Sequence, residues 1–207
     1  GYVQDPSRRD GKAWVGTTAM ATLAGQLRAH PRTDSWAGFV ASSVDDTGRV
    51  LGNARRSDGS FANQQANPYG QGQATLALAS MVRGGHTDLQ APLDRAATYL
   101  DTGYAPLGGN RLVTVDDHWT CLAALAIRDT SGVPSGQGPC LAYLDASAHK
   151  TPNLAGGVRP KSGGAGGLAE AVVAAAWLQP DGPWRDRAAS FAQLFLESAY
   201  RAGDAPF

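Results

Sequence analysis

The sequence predicts an all-α chain of about four helical hairpins whose inner helices face one another. Three observations carry this expectation. Four segments share one texture of small and large apolar residues, more polar amphipathic segments alternate with them, and glycine, proline and aspartate fall where helices should begin and end. The similar segments are GTTAMATLAGQL from Gly16, GQATLALASMV from Gly72, DHWTCLAALAI from Asp117 and GGLAEAVVAAAWL from Gly166. Superposing Met20, Leu76, Leu122 and Val173 gives separations of 56, 46 and 51 residues, the spacing of stacked units. The next column is alanine throughout, at Ala21, Ala77, Ala123 and Ala174. A column without bulk lets neighbouring helices approach closely, so these segments are assigned as inner helices with the alanines buried between them.

The outer helices are assigned to Thr33–Val44, Asp88–Asp101, Gln137–His149 and Pro183–Arg201. In the second, Leu89, Leu93, Ala96, Ala97 and Leu100 mark one face and Asp94, Arg95 and Asp101 another, as in a helix half exposed to solvent. Asp88 and Pro183 stand at helix starts, while Gly84, Gly85, Gly103 and Gly203 stand where helices stop. Eight principal helices result. The stretch from Asp46 to Gly70 is too long and polar for a tight connection and reads as a functional loop or small hairpin.

The chain has 207 residues, enough for one well-buried core and short for two, so residues 1–207 are read as a single domain. Its 43% hydrophobic and 17% charged content is too apolar for a disordered chain, and its glycines and prolines punctuate it too often for a coiled coil. Lys+Arg and Asp+Glu are both 18 with no run of like charge, which argues against a nucleic-acid partner. The most apolar stretch, Leu168 to Leu178, is interrupted by Glu170 and is far shorter than the ~20 residues of a membrane span. The sequence starts at Gly1 without a methionine or a charged-then-apolar leader, so any targeting signal is expected to have been removed or to lie outside this stretch. Cys121 and Cys140 are either two buried thiols or one disulfide: the thiol reading suits a cytosolic protein, and the bridge an exported one whose third inner and outer helices form a hairpin. The reading leans to a secreted or cell-surface location.

Three residues before the Met/Leu/Leu/Val column lies a different set, Thr17, Gln73, Trp119 and Glu170. Such positions would sit in the first turns of the inner helices, at one end of a central cavity where polar groups can meet a ligand. First turns of helices are commonly polar for structural reasons alone. Glu170 stands out because LAEAVVAAA offers it no partner nearby in sequence, so it must reach solvent in a cavity or find a partner across the ring. Asp116, Asp117 and His118 precede Trp119, giving a general acid/base set beside an aromatic surface for sugar stacking. The plainer reading of the same residues is a helix cap, a dipole partner and a core histidine. The loop DGSFANQQANPYGQGQ from Asp58 brings amides and aromatics to the same end, and amides suit hydroxyl-rich ligands because they donate and accept at once. The run SGGAGG from Ser162 lacks the P-loop spacing and reads as a flexible lead-in to the fourth inner helix.

The expected site therefore lies at the N-terminal mouth of the inner helices: Asp117, His118 and Glu170 catalytic, with Trp119, Tyr69, Gln71, Gln73 and Asp116 binding substrate. Glu170, flanked by apolar residues, is expected to be the general acid and Asp117 the base. No GxSxG, HExxH or GxGxxG pattern occurs, and four scattered histidines do not reach metal-ligand spacing, so no metal or cofactor is expected.

The segments NPYGQGQATLALASM, VDDHWTCLAALAI and GGAGGLAEAVVAAAWL resemble three consecutive inner helices of the α/α-toroid (six-hairpin) sugar-active proteins, including their epimerase-like and glucuronyl-hydrolase-like branches. The resemblance covers about residues 69 to 178. It implies an α/α toroid or partial toroid and a glycoside hydrolase, lyase or epimerase acting on an oligo- or polysaccharide, with Asp117, His118 and Glu170 placed where such relatives keep their working acids and histidines. A complete ring has six hairpins and this chain offers about four, so the expectation includes a further polypeptide segment or a second subunit that completes it. DGSFANQQANPYGQGQATLALASM is also similar to repeats of the terpene cyclase and prenyltransferase toroid, and TVDD at Thr114–Asp117 resembles the cyclases' DxDD proton-donor motif with threonine in place of its first aspartate. A non-catalytic scaffold binding carbohydrate or peptide is the third reading.

Overall fold

The computed structural model describes residues 2–3, 11–55, 57–62, 68–103, 118–133, 135–148 and 163–202. Among these residues the chain is mostly helical, with eight α-helices and one two-stranded sheet. The helices are α1 (Val15–Leu27), α2 (Thr33–Ser42), α3 (Pro68–Arg83), α4 (Gln90–Thr102), α5 (His118–Ser131), α6 (Gln137–Ala148), α7 (Gly163–Leu178) and α8 (Trp184–Ala202). Each inner and outer segment assigned from sequence is helical over most of its described residues. The odd-numbered helices pack in order, α1 on α3, α3 on α5 and α5 on α7, and each even-numbered helix lies against the one before it.

The sheet was not foreseen. Strand β1 (Lys12–Trp14) pairs antiparallel with β2 (Asn53–Arg55), placing Ala13 opposite Ala54. Trp14 is still extended where α1 begins, and the N–H of Val15 donates to the carbonyl of Gly52 at 3.1 Å, so the sheet rather than a side-chain cap starts this helix. The polar stretch after Asp46 contributes a small hairpin, with Val44 bridged to Val50, as well as β2. Gly48 at its turn has φ of +85° and presses on α4, where a Cβ would lie 1.9 Å from the carbonyl oxygen of Arg95. Only glycine fits both constraints. Asp45 holds the turn together by accepting from the Thr47 N–H and hydroxyl and from the Arg49 N–H and guanidinium. Burial on its own would push the Asp45 carboxyl up, but the bonds from Thr47 and Arg49 outweigh it and hold the group below the usual carboxylate range.

The apolar core falls into two clusters that meet on α5. One gathers Val15, Ala19, Val40, Leu78, Met81, Leu93 and Leu100 with Ala123 and Ile127 of α5. The other gathers Leu144, Leu168, Val172, Trp184 and Phe191 with Cys121 and Ala124. Each large side chain buried in this way contributes about 1.5–3 kcal/mol relative to exposure. Ala77, Ala123 and Ala174 are fully buried as the alanine column requires, whereas Ala21 is half-buried and Ala19 and Thr22 take its place in the interior. Met20 and Val173 of the adjoining column are exposed. The phase of α1 is thus shifted from the alignment, because β1 and the Val15 anchor set its rotation.

Two expected boundaries also move. Asp88 belongs to a 3-10 turn, Thr87–Leu89, and α4 proper starts at Gln90. The glycine run expected to be a flexible lead-in is helical from Gly163 onward, forming the first turns of α7. Packing overrides the weak helix propensity of glycine there. Cys121 of α5 and Cys140 of α6 are joined by a disulfide, with their Cα atoms 4.6 Å apart. Asp101 at the end of α4 accepts from the Gly136 N–H at 2.6 Å just before α6, tying successive outer helices. No helix among the described residues is long and apolar enough to cross a membrane.

Candidate functional site

The N-terminal portions of the odd-numbered helices meet through glycines. A Cβ on Gly16 of α1 would lie 2.6 Å from Oε1 of Gln73 on α3. One on Gly72 of α3 would lie 2.6 Å from the Cβ of Trp119 on α5, and one on Gly167 of α7 would lie 2.6 Å from Nδ1 of His118. At Gly72 the backbone of Trp119 and Thr120 also comes within 2.9 Å of that point, so α3 and α5 approach as closely as bare backbone permits, whereas at Gly16 and Gly167 a neighbouring side chain fills the space a Cβ would take. At the other end, Gln26 donates to the Ser80 carbonyl at 2.8 Å between α1 and α3, and Arg128 at the end of α5 donates to the carbonyl of Trp177 on α7. Close packing at one end and side-chain bonds at the other hold the polar column in a fixed arrangement.

His118 opens α5 and is almost wholly buried, its ring resting on Gly167 and tilted against the Trp119 ring at 4.7 Å between centroids. Its Nε2 lies 3.6 Å from Oε2 of Glu170. That distance is too long for a hydrogen bond and short enough for an ion pair when the imidazole is protonated. The Glu170 side chain is 57% exposed while that of His118 is 9% exposed, so the carboxylate faces water and the imidazole stands behind it. Glu170 therefore both reaches solvent and faces a partner on the neighbouring helix. It is the eighth residue of α7 and Gln73 the sixth of α3, beyond the first turn in both cases, because Pro68 and the glycine run begin these helices earlier than the alignment implied. Thr17 and Trp119 do lie in first turns.

Gln71 is completely buried and its amide is committed elsewhere, accepting from the Val50 N–H at 2.8 Å and donating to the Gly48 carbonyl at 3.3 Å. In this arrangement it pins the hairpin to α3, with both ends of the amide engaged by backbone groups. Gln73 is also buried, but its Oε1 meets no donor. Asp116 and Asp117 lie outside the described residues, as does the side chain of Tyr69, whose backbone is in α3. Among the described residues no group of three or more His, Cys, Asp and Glu side chains could hold a metal ion.

What the arrangement offers chemically is proton transfer: a solvent-facing carboxylate, an imidazole behind it able to take or return a proton, and an indole alongside. The structure brings together Glu170, His118 and Trp119, all singled out in the sequence, and adds Gly167, which was not, as the residue against which the histidine packs. Its signal was present as a glycine three positions before Glu170, within a run read as flexible. The chain matches no protein-family model, no curated protein and no solved structure.

Proposed function

We propose that the chain is a sugar-active enzyme of glycoside hydrolase, lyase or epimerase type, using Glu170 and His118 for acid–base chemistry. The observation that carries this reading is the pairing of exposed Glu170 with buried His118 across α5 and α7. Glu170 meets the ligand and exchanges a proton with it, and His118, when protonated, stabilises the carboxylate that Glu170 becomes on giving up that proton. Trp119 offers a surface for a sugar ring, and Asp117, directly before His118, supplies the second carboxylate. The packing order of the odd-numbered helices supports an open arc of four hairpins, a partial α/α toroid that a further segment or a second subunit completes. The Cys121–Cys140 disulfide supports a secreted or cell-surface location.

A second reading is favoured by one specific observation. Met20 and Val173 are 38% and 47% exposed one turn along from the polar column, and Trp177 is 65% exposed on α7. Of these, Val173 and Trp177 lie on the helix of Glu170, and apolar side chains left open beside an acid suit an isoprenoid. The two readings separate when the protein is incubated with a panel of neutral and uronate-containing oligosaccharides and a panel of isoprenoid diphosphates, with products followed by mass spectrometry. Turnover of an oligosaccharide that disappears in Glu170→Gln supports the first reading. Turnover of isoprenoids alone supports the second, and oligosaccharide binding without turnover leaves a carbohydrate-binding scaffold.

A further inference from the structure

Gln73 is anomalous for its surroundings. It is 6% exposed, and its Oε1 is buried with no hydrogen-bond partner. A buried acceptor without a donor is costly, and native interiors retain few of them. An apolar side chain of the same length at position 73 would avoid that cost. The oxygen lies against Gly16 in the first turn of α1, where the N–H groups have no intrahelical partner. Gly16 is what admits it, since a methyl there would come within 2.6 Å of Oε1. Gln73 also follows Gly72, which seats Trp119 on the opposite flank of α3. The amide thus stands between the α1 terminus and the helix that carries the aromatic residue of the site.

We infer that Gln73 is a specificity-determining residue whose amide turns away from Gly16 to hydrogen-bond hydroxyl groups of the ligand. This rests on the sugar-active reading given above and names the chemistry that the site recognises. An amide has an acceptor at one end and a donor at the other, and neighbouring hydroxyls on a sugar ring can satisfy both. A hydrocarbon chain can satisfy neither. The unmet acceptor in the free protein lowers the cost of that turn, because leaving Gly16 surrenders no hydrogen bond.

Three variants test it. Gln73→Met keeps the length and removes the polar end, so its Tm should rise by a few degrees while affinity for a sugar falls about tenfold. Gly16→Ala should displace the amide in the free protein and raise affinity for the same sugar. Gln73→Glu should weaken binding while keeping an acceptor. The probe is the tightest-binding member of an array of neutral and uronate oligosaccharides, titrated into the whole chain by calorimetry. A lower Tm for Gln73→Met would show that the residue is merely structural, and sugar affinity within twofold of wild type would show that the amide does not meet the ligand. Either result overturns the role of Gln73 and leaves the sugar-active reading standing. No binding by the wild-type protein anywhere on the array overturns both.

Discussion

The imidazole of His118 rests on Gly167 of the neighbouring helix, and a Cβ at position 167 would fall within 2.8 Å of three ring atoms. The ring has little room to retreat, being almost wholly buried. Gly167→Ala should therefore move His118 off its line to Glu170. Displacements of about 1 Å can cost on the order of a hundredfold in rate. Turnover should fall by that order while helical circular dichroism is retained, since alanine favours a helix over glycine by about 1 kcal/mol. Unchanged His118 ring resonances in the variant would show that the contact is not restrictive.

Replacement of Glu170 separates chemistry from folding. Its side chain is 57% exposed, so Glu170→Gln should change stability by no more than about 0.5 kcal/mol. Turnover should drop by roughly a hundredfold or more if it exchanges the proton. Thermal unfolding beside product analysis checks both halves, and Asp117→Asn should lose turnover likewise.

Asp45 gives the fold a defined response to acid. Its carboxyl is held below the usual range in the folded chain, so its contribution is present above the unfolded value near pH 3.9 and is lost as pH falls through the lower folded value. Asp45→Asn lacks that contribution at every pH. Urea titrations should show the wild type ahead of the variant at neutral pH, with the gap closing below about pH 4. A gap of constant size would show that the charge is not the cause.

The disulfide spans a sequence separation of 19, a loop whose closure is worth about 3 kcal/mol. The double variant Cys121→Ala, Cys140→Ala should accordingly unfold roughly 10 °C lower at neutral pH. Reduction of the wild-type protein with dithiothreitol should produce a comparable shift under the same conditions. A double variant that melts with the oxidised wild type would leave the bond without a stabilising role.

Much of the fold was legible because helical periodicity and small-residue columns are local signals. Ala77, Ala123 and Ala174 could be assigned to the interior from their spacing alone, and Thr33 and Gln137 mark the observed helix starts. The β1–β2 pairing was hidden because three-residue strands give no periodicity, and it shifted the face of α1 so that Ala21 lost its expected burial. The helical start at residues 163–167 was hidden because glycine is a poor helix former, and only the His118 ring packed against Gly167 explains why a side chain would not fit at that position. At the site, His118 and Glu170 are 52 positions apart, yet the column alignment put their helices at one level. Gln71 could not be distinguished from Gln73 in the same way. Positions two apart on a helix face different neighbours, and which one finds the hairpin backbone depends on tertiary structure.

The bond between Cys121 and Cys140 encloses the turn between α5 and α6, whose Gly132 and Gly136 adopt positive φ. A protease that nicked the exposed backbone at residues 132–133 would cut the polypeptide without releasing either half. The fragment bearing His118 would remain tethered to the fragment bearing Glu170, and the nicked molecule would run as one species until a reductant was added. The 3.6 Å approach of His118 to Glu170 would in this way survive within one covalent molecule after its main chain had been broken.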